Sequence, residues 1–475
     1  MQPMSSAPSE APDGERFDTI EGQLARLRNT FAAGVTRSLT WRAGQLNGII
    51  RFARDQSAAL SEAMAADLGR PPIEGWTADI SSAISGAEHA KSRLRKWAKP
   101  RRRQLPVVLR PGSAKIVPEP LGLSLIIAPW NYPVNLVLEP LVASFAAGNV
   151  VALKPSEVSA HTSALIAREL PNYVDERALA IFEGDAKTSS HLLEKRFDHI
   201  FFTGSTEVGR VVMRAAAEHL TPVILELGGK SPAIVTSDAN IDVAAQRIAW
   251  GKTFNAGQTC IAPDYVLVDQ DIRDELVDAI AATWRTFFGE SPADSPDFGR
   301  IVNANHHRRL TDLLGDLEEG VVAVGGGHSV EDLYLSPTIV VDPPLDSALM
   351  TNEIFGPILP IISTHDVTES IQFVNERPKP LALYIFSGSS DTVDQVLAQT
   401  SSGGACINHT LLQFVAPELP FGGVGASGMG RYHGKAGFDS FSNLKGVLSK
   451  PILGENTLTY PPYTEMKQKL LRAVT

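Results

Sequence analysis

At 475 residues and 51.1 kDa the chain is too long for one hydrophobic core, so two or three domains are expected. Its composition, 43% hydrophobic and 20% charged with both signs mixed, excludes a disordered chain. A net charge of −10 and a pI near 5.6 argue against a nucleic-acid scaffold.

Residues 1–17 lack an apolar core and basic flanks, which predicts a disordered tail rather than a signal peptide. The first ordered segment is helical, because Ile20, Leu24, Leu27 and Phe31 fall on one face. A second helical stretch carries Leu46, Ile49, Ile50, Leu60 and Met64 and stops at Leu68-Gly69, a C-cap signal. Basic residues then crowd into "KSRLRKWAKPRRR", from Lys91 to Arg103, and read as a solvated helix end leading into a loop. "AKIVPEP" reads as a strand ending in prolines.

Beyond it the pattern changes. "LGLSLIIAP", "NVVALKP", "ALAIFEG", "DHIFFTG" and "PVILELGG" are continuous apolar runs, and helical stretches such as "NLVLEPLVASFAAG" and "TEVGRVVMRAAAEHL" separate them. That alternation predicts an α/β fold with a parallel sheet covered on both faces. Ligands gather at the carboxyl ends of such strands, which puts the turns after "IIAP", "VALKP", "FFTG" and "ILELGG" on one rim. A second α/β series starts near Ser231 and runs to about residue 412. The end, "LPFGGVGASGMGRYHGKAGFDSFS", is glycine-rich and is expected to be a loop across the site or between subunits.

Most standard motifs are missing. A P-loop fails because Ile224 and Gln246 stand where its first glycine is required. The strict dinucleotide fingerprint fails at Thr206, although Gly204 and Gly209 of "GSTEVG" lie between a strand and a helix, where amides can face an anion. There is no HExxH and no GxSxG. His306 and His307 sit in a polar helical run and read as surface residues, so no metal is expected. Cys260 and Cys406, 146 positions apart, form neither a disulfide framework nor a cysteine zinc site, which suits a reducing cytoplasm. No apolar run approaches the ~20 residues that span a bilayer.

Cys260 ends "FNAGQTC", at a glycine turn that follows a helical segment. A free cysteine is usually buried and inert. This one lies in reach of the ligand rim, and Asn131 in "APWNYP" and Glu226 in "LELGGK" stand at strand ends on that rim. Each partner also has a plain structural reading, Asn131 as a turn cap and Glu226 as a satisfied strand-end carboxylate.

Taken in order, "PWNYP", "LKPSE", "FTGSTEVG", "LELGGKSP", "FNAGQTC", "EIFGP" and "LPFGGVGASGMG" resemble the aldehyde dehydrogenase superfamily over roughly residues 18–450. "AWGKTFNAGQTCIAPDY" and "FGGVGASGMGRYHGK" are most similar to its class 3 branch. The resemblance implies a Rossmann-like cofactor domain over 18–225 with a bridging segment, 100–121, inserted in it. It also implies a catalytic α/β domain over 226–412, and a bridging and oligomerisation segment over 413–475 that serves a homodimer.

It further implies NAD, with NADP as an alternative, and oxidation of an aromatic or medium-to-long aliphatic aldehyde. Cys260 would be the nucleophile, Asn131 the oxyanion donor and Glu226 the base that activates water. Lys154 and Glu157 would hold the adenosine ribose, and Gly204, Ser205, Thr206, Glu207, Val208 and Gly209 the pyrophosphate turn. Trp130, Glu353 and Phe355 would address the nicotinamide end, and Tyr132 and Trp250 would line an aromatic entrance. Trp250 reads equally as core packing, Cys406 as strand packing and Lys230 as structural. Two rivals use the same thiol: a cofactor-independent esterase or acyltransferase, and a CoA-acylating dehydrogenase. The polar "YPPYTEMKQKLLRAVT" carries no membrane tail of the kind some class 3 relatives have, so microsomal anchoring is not expected.

Overall fold

The computed structural model describes residues 19–474 except 316, 318–320 and 454–456; the expected disordered tail, 1–17, lies outside the described residues. Five apolar runs form one sheet in the order Val223–Leu227, His199–Gly204, Leu123–Ile127, Val150–Lys154 and Leu179–Ile181, all parallel. These strands carry no alternation of polar residues because helices cover both faces. Helix Asn135–Ala147 illustrates the burial: every residue of it is buried, and Gly148 (φ +95°) ends it with N–H bonds to Ser144 and Phe145 carbonyls. It lies between the sheet and helices Leu39–Asp55 and Ser81–Ala98.

Register fixes the rim. Ile127 lies opposite Lys154 and Phe202, Thr203 opposite Glu226, and Gly204 opposite Leu227. The turns expected to share one edge therefore do so. The glycine-rich stretch departs from expectation: Gly428–Met429 is an antiparallel edge strand on Val223–Leu227, with Gly428 opposite Glu226. A Cβ at Gly428 would overlap the Leu225 carbonyl, so only glycine lets the two backbones meet there.

A second sheet of seven strands has the order Val322–Val324, Thr338–Val341, Ile358–Thr364, Tyr265–Asp269, Pro232–Val235, Ala382–Phe386 and Gly404–Ile407. Only Val322–Val324 runs antiparallel. Cys406 packs half-buried in its edge strand, as read from the sequence. A third, antiparallel sheet joins Arg101–Arg103, Ser113–Pro120 and Ser442–Ser449.

Two further sequence expectations fail. The basic run does not end in a loop, since Arg101–Arg103 is a strand and Arg101 pairs with Asp439 at 2.7 Å. Its strand partner, Ser113–Pro120, follows within 20 positions, while the carboxylate that pairs with Arg101 lies more than 300 positions away. His307 is not a surface residue either; it is 2% exposed and its Nε2 meets the Tyr334 carbonyl at 2.9 Å. No helix among the described residues is long and apolar enough to cross a membrane.

Candidate active site

Helix Ile241–Thr253 runs into a tight turn, Phe254–Gly257. Asn255, Ala256 and Gly257 all have left-handed backbones, at φ +54°, +52° and +74°. Two consecutive non-glycine residues there store strain that neighbouring bonds must hold. The Gln258 side chain supplies several: Nε2 donates to the Asn255 carbonyl at 3.0 Å and the Arg300 carbonyl at 2.8 Å, and Oε1 accepts from Val302 N at 2.9 Å. A Cβ at Gly257 would strike the Gly356 backbone, so the glycine is required by close approach as well as by φ. Three residues on, Cys260 is part-exposed at the wall of a cavity of about 230 Å³.

That cavity is apolar and aromatic. Tyr132, Leu136, Trp250, Phe254, Ile261, Leu411 and Phe414 line it, with Thr77, Ser82 and Thr259 among its few polar groups. Trp250 faces Phe254 with ring centroids 5.2 Å apart and is half-buried, so it is a wall residue rather than core. Tyr132 is anchored by its hydroxyl on Thr259 Oγ1 at 2.6 Å, beside Cys260.

Asn131 follows strand Leu123–Ile127 and reaches the same place. One N–H of its side-chain amide donates to the Gln258 carbonyl at 3.1 Å, while the Asn131 backbone carbonyl accepts from Asn255 Nδ2 at 3.0 Å and from Arg70. Glu226, in strand Val223–Leu227, is 2% exposed and neither carboxylate oxygen has a hydrogen-bond partner among the described residues. Burial drives its pKa well above the ordinary carboxyl value, against the weaker pull of Arg431. The structure thus brings Cys260, Asn131 and Glu226 to one rim, and Glu226 is not the satisfied carboxylate of its plain reading.

Glu353 is a second buried carboxyl with a raised pKa. Burial, then the Asp264 charge, pushes it up to about 8, and its Oε1 has no partner. A Cβ at Gly228 would overlap its carboxylate. Lys230 holds this loop, pairing with Asp264 and donating to the Leu349 and Asn352 carbonyls at 2.8 and 2.9 Å. Its expected structural part is what the geometry gives. Phe355 (φ +48°) meets Trp130 edge-on at 5.4 Å, and His306 lies 5.0 Å from Trp130 on its other contact. Burial, with both carboxylates adding to it, raises the Cys260 thiol above its ordinary pKa.

Along the rest of the rim, Lys154 is buried with its ammonium on the exposed Glu157 carboxylate. Gly204 ends its strand and Ser205 caps helix Thr206–His219, its Oγ accepting from Val208 N at 3.3 Å. Glu207 sits in the first turn, Val208 is 48% exposed, and Thr206 Oγ1 donates to the Ala426 carbonyl at 3.2 Å. Gly209 is buried where a Cβ would collide with Leu227, so this glycine lets the helix lie close on the strand. Sequence reasoning missed Arg70, Asp79, Asn255 and Gln258, whose polar network carries the turn, and the walls Phe254, Leu411 and Phe414. No group of three metal-ligating side chains occurs among the described residues.

Parallel strands whose carboxyl ends lead into an amide-bearing turn, a buried carboxyl and a capped helix start are the architecture of Rossmann-like oxidoreductases. Within that class the chain belongs to the aldehyde dehydrogenase family, which it matches over residues 20–447. It is 47% identical to aldehyde dehydrogenase family 3 member B1 of Rattus norvegicus, covering 96% of this chain and 97% of the relative. It is 43% identical to family 3 member F1 of Arabidopsis thaliana, covering 96% and 95%. The substrate-bound Staphylococcus aureus AldH superposes with a TM-score of 0.93 at 41% identity, covering 96% of this chain and 99% of that one. For the NAD-dependent aldehyde dehydrogenase of Sinorhizobium meliloti the values are 0.84, 28%, 94% and 89%. The class 3 relatives establish an NAD(P)-dependent aldehyde dehydrogenase, an enzyme whose substrate is a small-molecule aldehyde.

Proposed function

We propose that Cys260 carries the acyl group, with Asn131 and Glu226 as its partners; the observation that carries this reading is that Cys260 stands at the wall of an apolar cavity while the Asn131 amide bonds the carbonyl of its turn and the buried Glu226 carboxyl acts on its thiol. The thiol adds to the aldehyde carbon once a neighbouring carboxylate has taken its proton, which gives a thiohemiacetal. Oxyanion charge then develops beside the Asn131 amide, whose second N–H is left over after the Gln258 bond, and beside the Cys260 backbone N–H. NAD(P)+, when bound beside this adduct, would supply the hydride acceptor that its conversion to a thioester needs. Glu226, ionised, removes a proton from water as that water attacks the thioester carbon; the acid leaves and the thiol is restored.

The rim fits a dinucleotide by its own chemistry. A capped helix start faces an anion, Glu157 beside Lys154 suits a ribose diol, and Thr203 Oγ1 and Glu353 Oε1 are buried without partners. Trp130, Glu353 and Phe355 would hold the nicotinamide end, with Gly204, Ser205, Thr206, Glu207, Val208 and Gly209 at the pyrophosphate. Glu157 opposes a 2′-phosphate, so NAD is the preferred form. The aromatic walls Tyr132, Trp250, Phe254 and Phe414 favour aromatic or medium-to-long aliphatic aldehydes. The division into a cofactor part (18–225), a catalytic part (226–412) and a bridging part (413–475), a homodimer and a cytoplasmic location belong to the same reading.

The test is a panel of aromatic and aliphatic aldehydes assayed at 340 nm with NAD and with NADP, on the parent and on Cys260→Ala. We expect no turnover in the variant with cofactor affinity retained. Turnover that survives the loss of the thiol refutes the mechanism.

A further inference from the structure

Between the strand end that carries Asn131 and the turn that carries Cys260 lies one buried cation. Arg70 follows helix Ser57–Leu68 and the left-handed Gly69 (φ +56°), and its side chain is fully enclosed. Its guanidinium spends its donors on three elements. One terminal nitrogen bonds the Asn131 carbonyl, the other pairs with Asp79, and Nε donates to Asn255 Oδ1 at 3.1 Å. The guanidinium carbon also lies 4.6 Å from the centre of the Tyr132 ring. Asp79 extends the hold by accepting from Val134 N at 2.9 Å and Asn135 N at 2.8 Å, just past Asn131.

Asn255 completes a closed circuit. Its Nδ2 donates both to the Asn131 carbonyl at 3.0 Å and to the Gln258 carbonyl at 3.1 Å, and Gln258 is the carbonyl that receives the Asn131 amide. The rotation of the Asn131 side chain and the position of the Cys260 turn are thus set by the same few bonds. A buried ion pair is poor evidence for stability, because apolar replacements of such pairs are often neutral or better. Its planar fork is well suited to positioning, since it fixes directions as well as distances.

We infer that Arg70 is a positioning residue for the oxyanion pocket: it locks the Asn131 backbone to the Asn255–Gln258 turn so that the Asn131 amide and Cys260 keep one relative geometry. The inference rests on the proposed oxyanion part of Asn131. It acts on acylation, the step in which oxyanion charge appears, and not on cofactor binding.

The experiment is stopped-flow measurement of the NADH burst at saturating NAD and aldehyde, on Arg70→Met, Arg70→Lys, Asn131→Ala and the Arg70→Met/Asn131→Ala double variant. NAD dissociation constants and thermal unfolding are measured alongside. Losing one oxyanion donor typically costs about 10²-fold, so Arg70→Met is expected to slow the burst by one to two orders of magnitude with NAD affinity unchanged. Arg70→Lys keeps the charge opposite Asp79 but not the fork, and is expected to unfold near the parent temperature while slowing the burst by roughly tenfold. Groups acting through one another are not additive, so the double variant is expected to be hardly slower than Asn131→Ala. If Asn131→Ala slows the burst while Arg70→Lys leaves it at the parental rate, the positioning inference alone falls. Losses that multiply in the double variant overturn it as well. If Asn131→Ala leaves the burst intact, the oxyanion reading fails and takes this inference with it.

Discussion

Glu139 offers a test in which the sign is as informative as the size. It sits in helix Asn135–Ala147 at 7% exposure, with its carboxylate against Gly86 and no hydrogen bond among the described residues. It shares a small cavity with Ser82, Ser85, Asn135 and His433, beside the apolar cavity at Cys260. His433 brings no compensating charge, because burial holds it down at about 3 and therefore neutral. Burial alone raises Glu139 from 4.5 to about 7. A carboxyl raised on folding binds its proton more tightly in the native state, so its contribution is complete below about pH 4.5 and is lost as pH rises to 7. Each tenfold change in proton affinity is about 1.4 kcal/mol, which makes the loss about 3 kcal/mol above neutrality. Glu139→Gln keeps the shape and removes the titration. We expect the variant to unfold at the same urea concentration as the parent at pH 4 and to be more stable by up to about 3 kcal/mol at pH 8.5. A difference that does not change with pH, or a parent that gains on the variant as pH rises, would refute the reasoning from burial.

Glu226→Gln is expected to give an NADH burst and then stall as an acyl enzyme visible by intact mass. In the parent the deacylation rate should climb with pH as the raised carboxyl ionises, and in the variant it should stay flat and low; no adduct after mixing with aldehyde and NAD removes Glu226 as the base. Replacing Glu157 by alanine is expected to raise the KM for NAD by about tenfold, the scale of one lost charged hydrogen bond, and to narrow the gap to NADP. Unchanged KM values for both cofactors would take Glu157 out of the ribose site.

The parallel sheets were legible because buried strands are long apolar runs, and "LSLII", "VVALK" and "HIFFTG" cannot be read otherwise once glycine turns bound them. The candidate triad was legible too, although composition and spacing left Cys260 inert by default and the ordered motifs decided it. What stayed hidden is pairwise and distant. Arg70 meets Asn255 across 185 positions and Asn131 across 61, and no local pattern marks either bond. His307 looked exposed because its partner, the Tyr334 carbonyl, is supplied by another strand. Gly428–Met429 looked like loop because glycine has no strand propensity, while the partner backbone demands it.

That edge strand also sets a timetable. Val223–Leu227, the strand that carries Glu226, has one flank paired by His199–Gly204, but its other flank waits for residues 428–429, some 200 positions downstream. A nascent chain emerging from the ribosome must carry this half-paired strand through synthesis of the whole second sheet before its last neighbour arrives. Cys260 is therefore translated, and can be seated in its turn, before the strand bearing Glu226 is closed. The chain completes its chemistry last, and an aldehyde meeting an unfinished copy would find a thiol without a finished site around it.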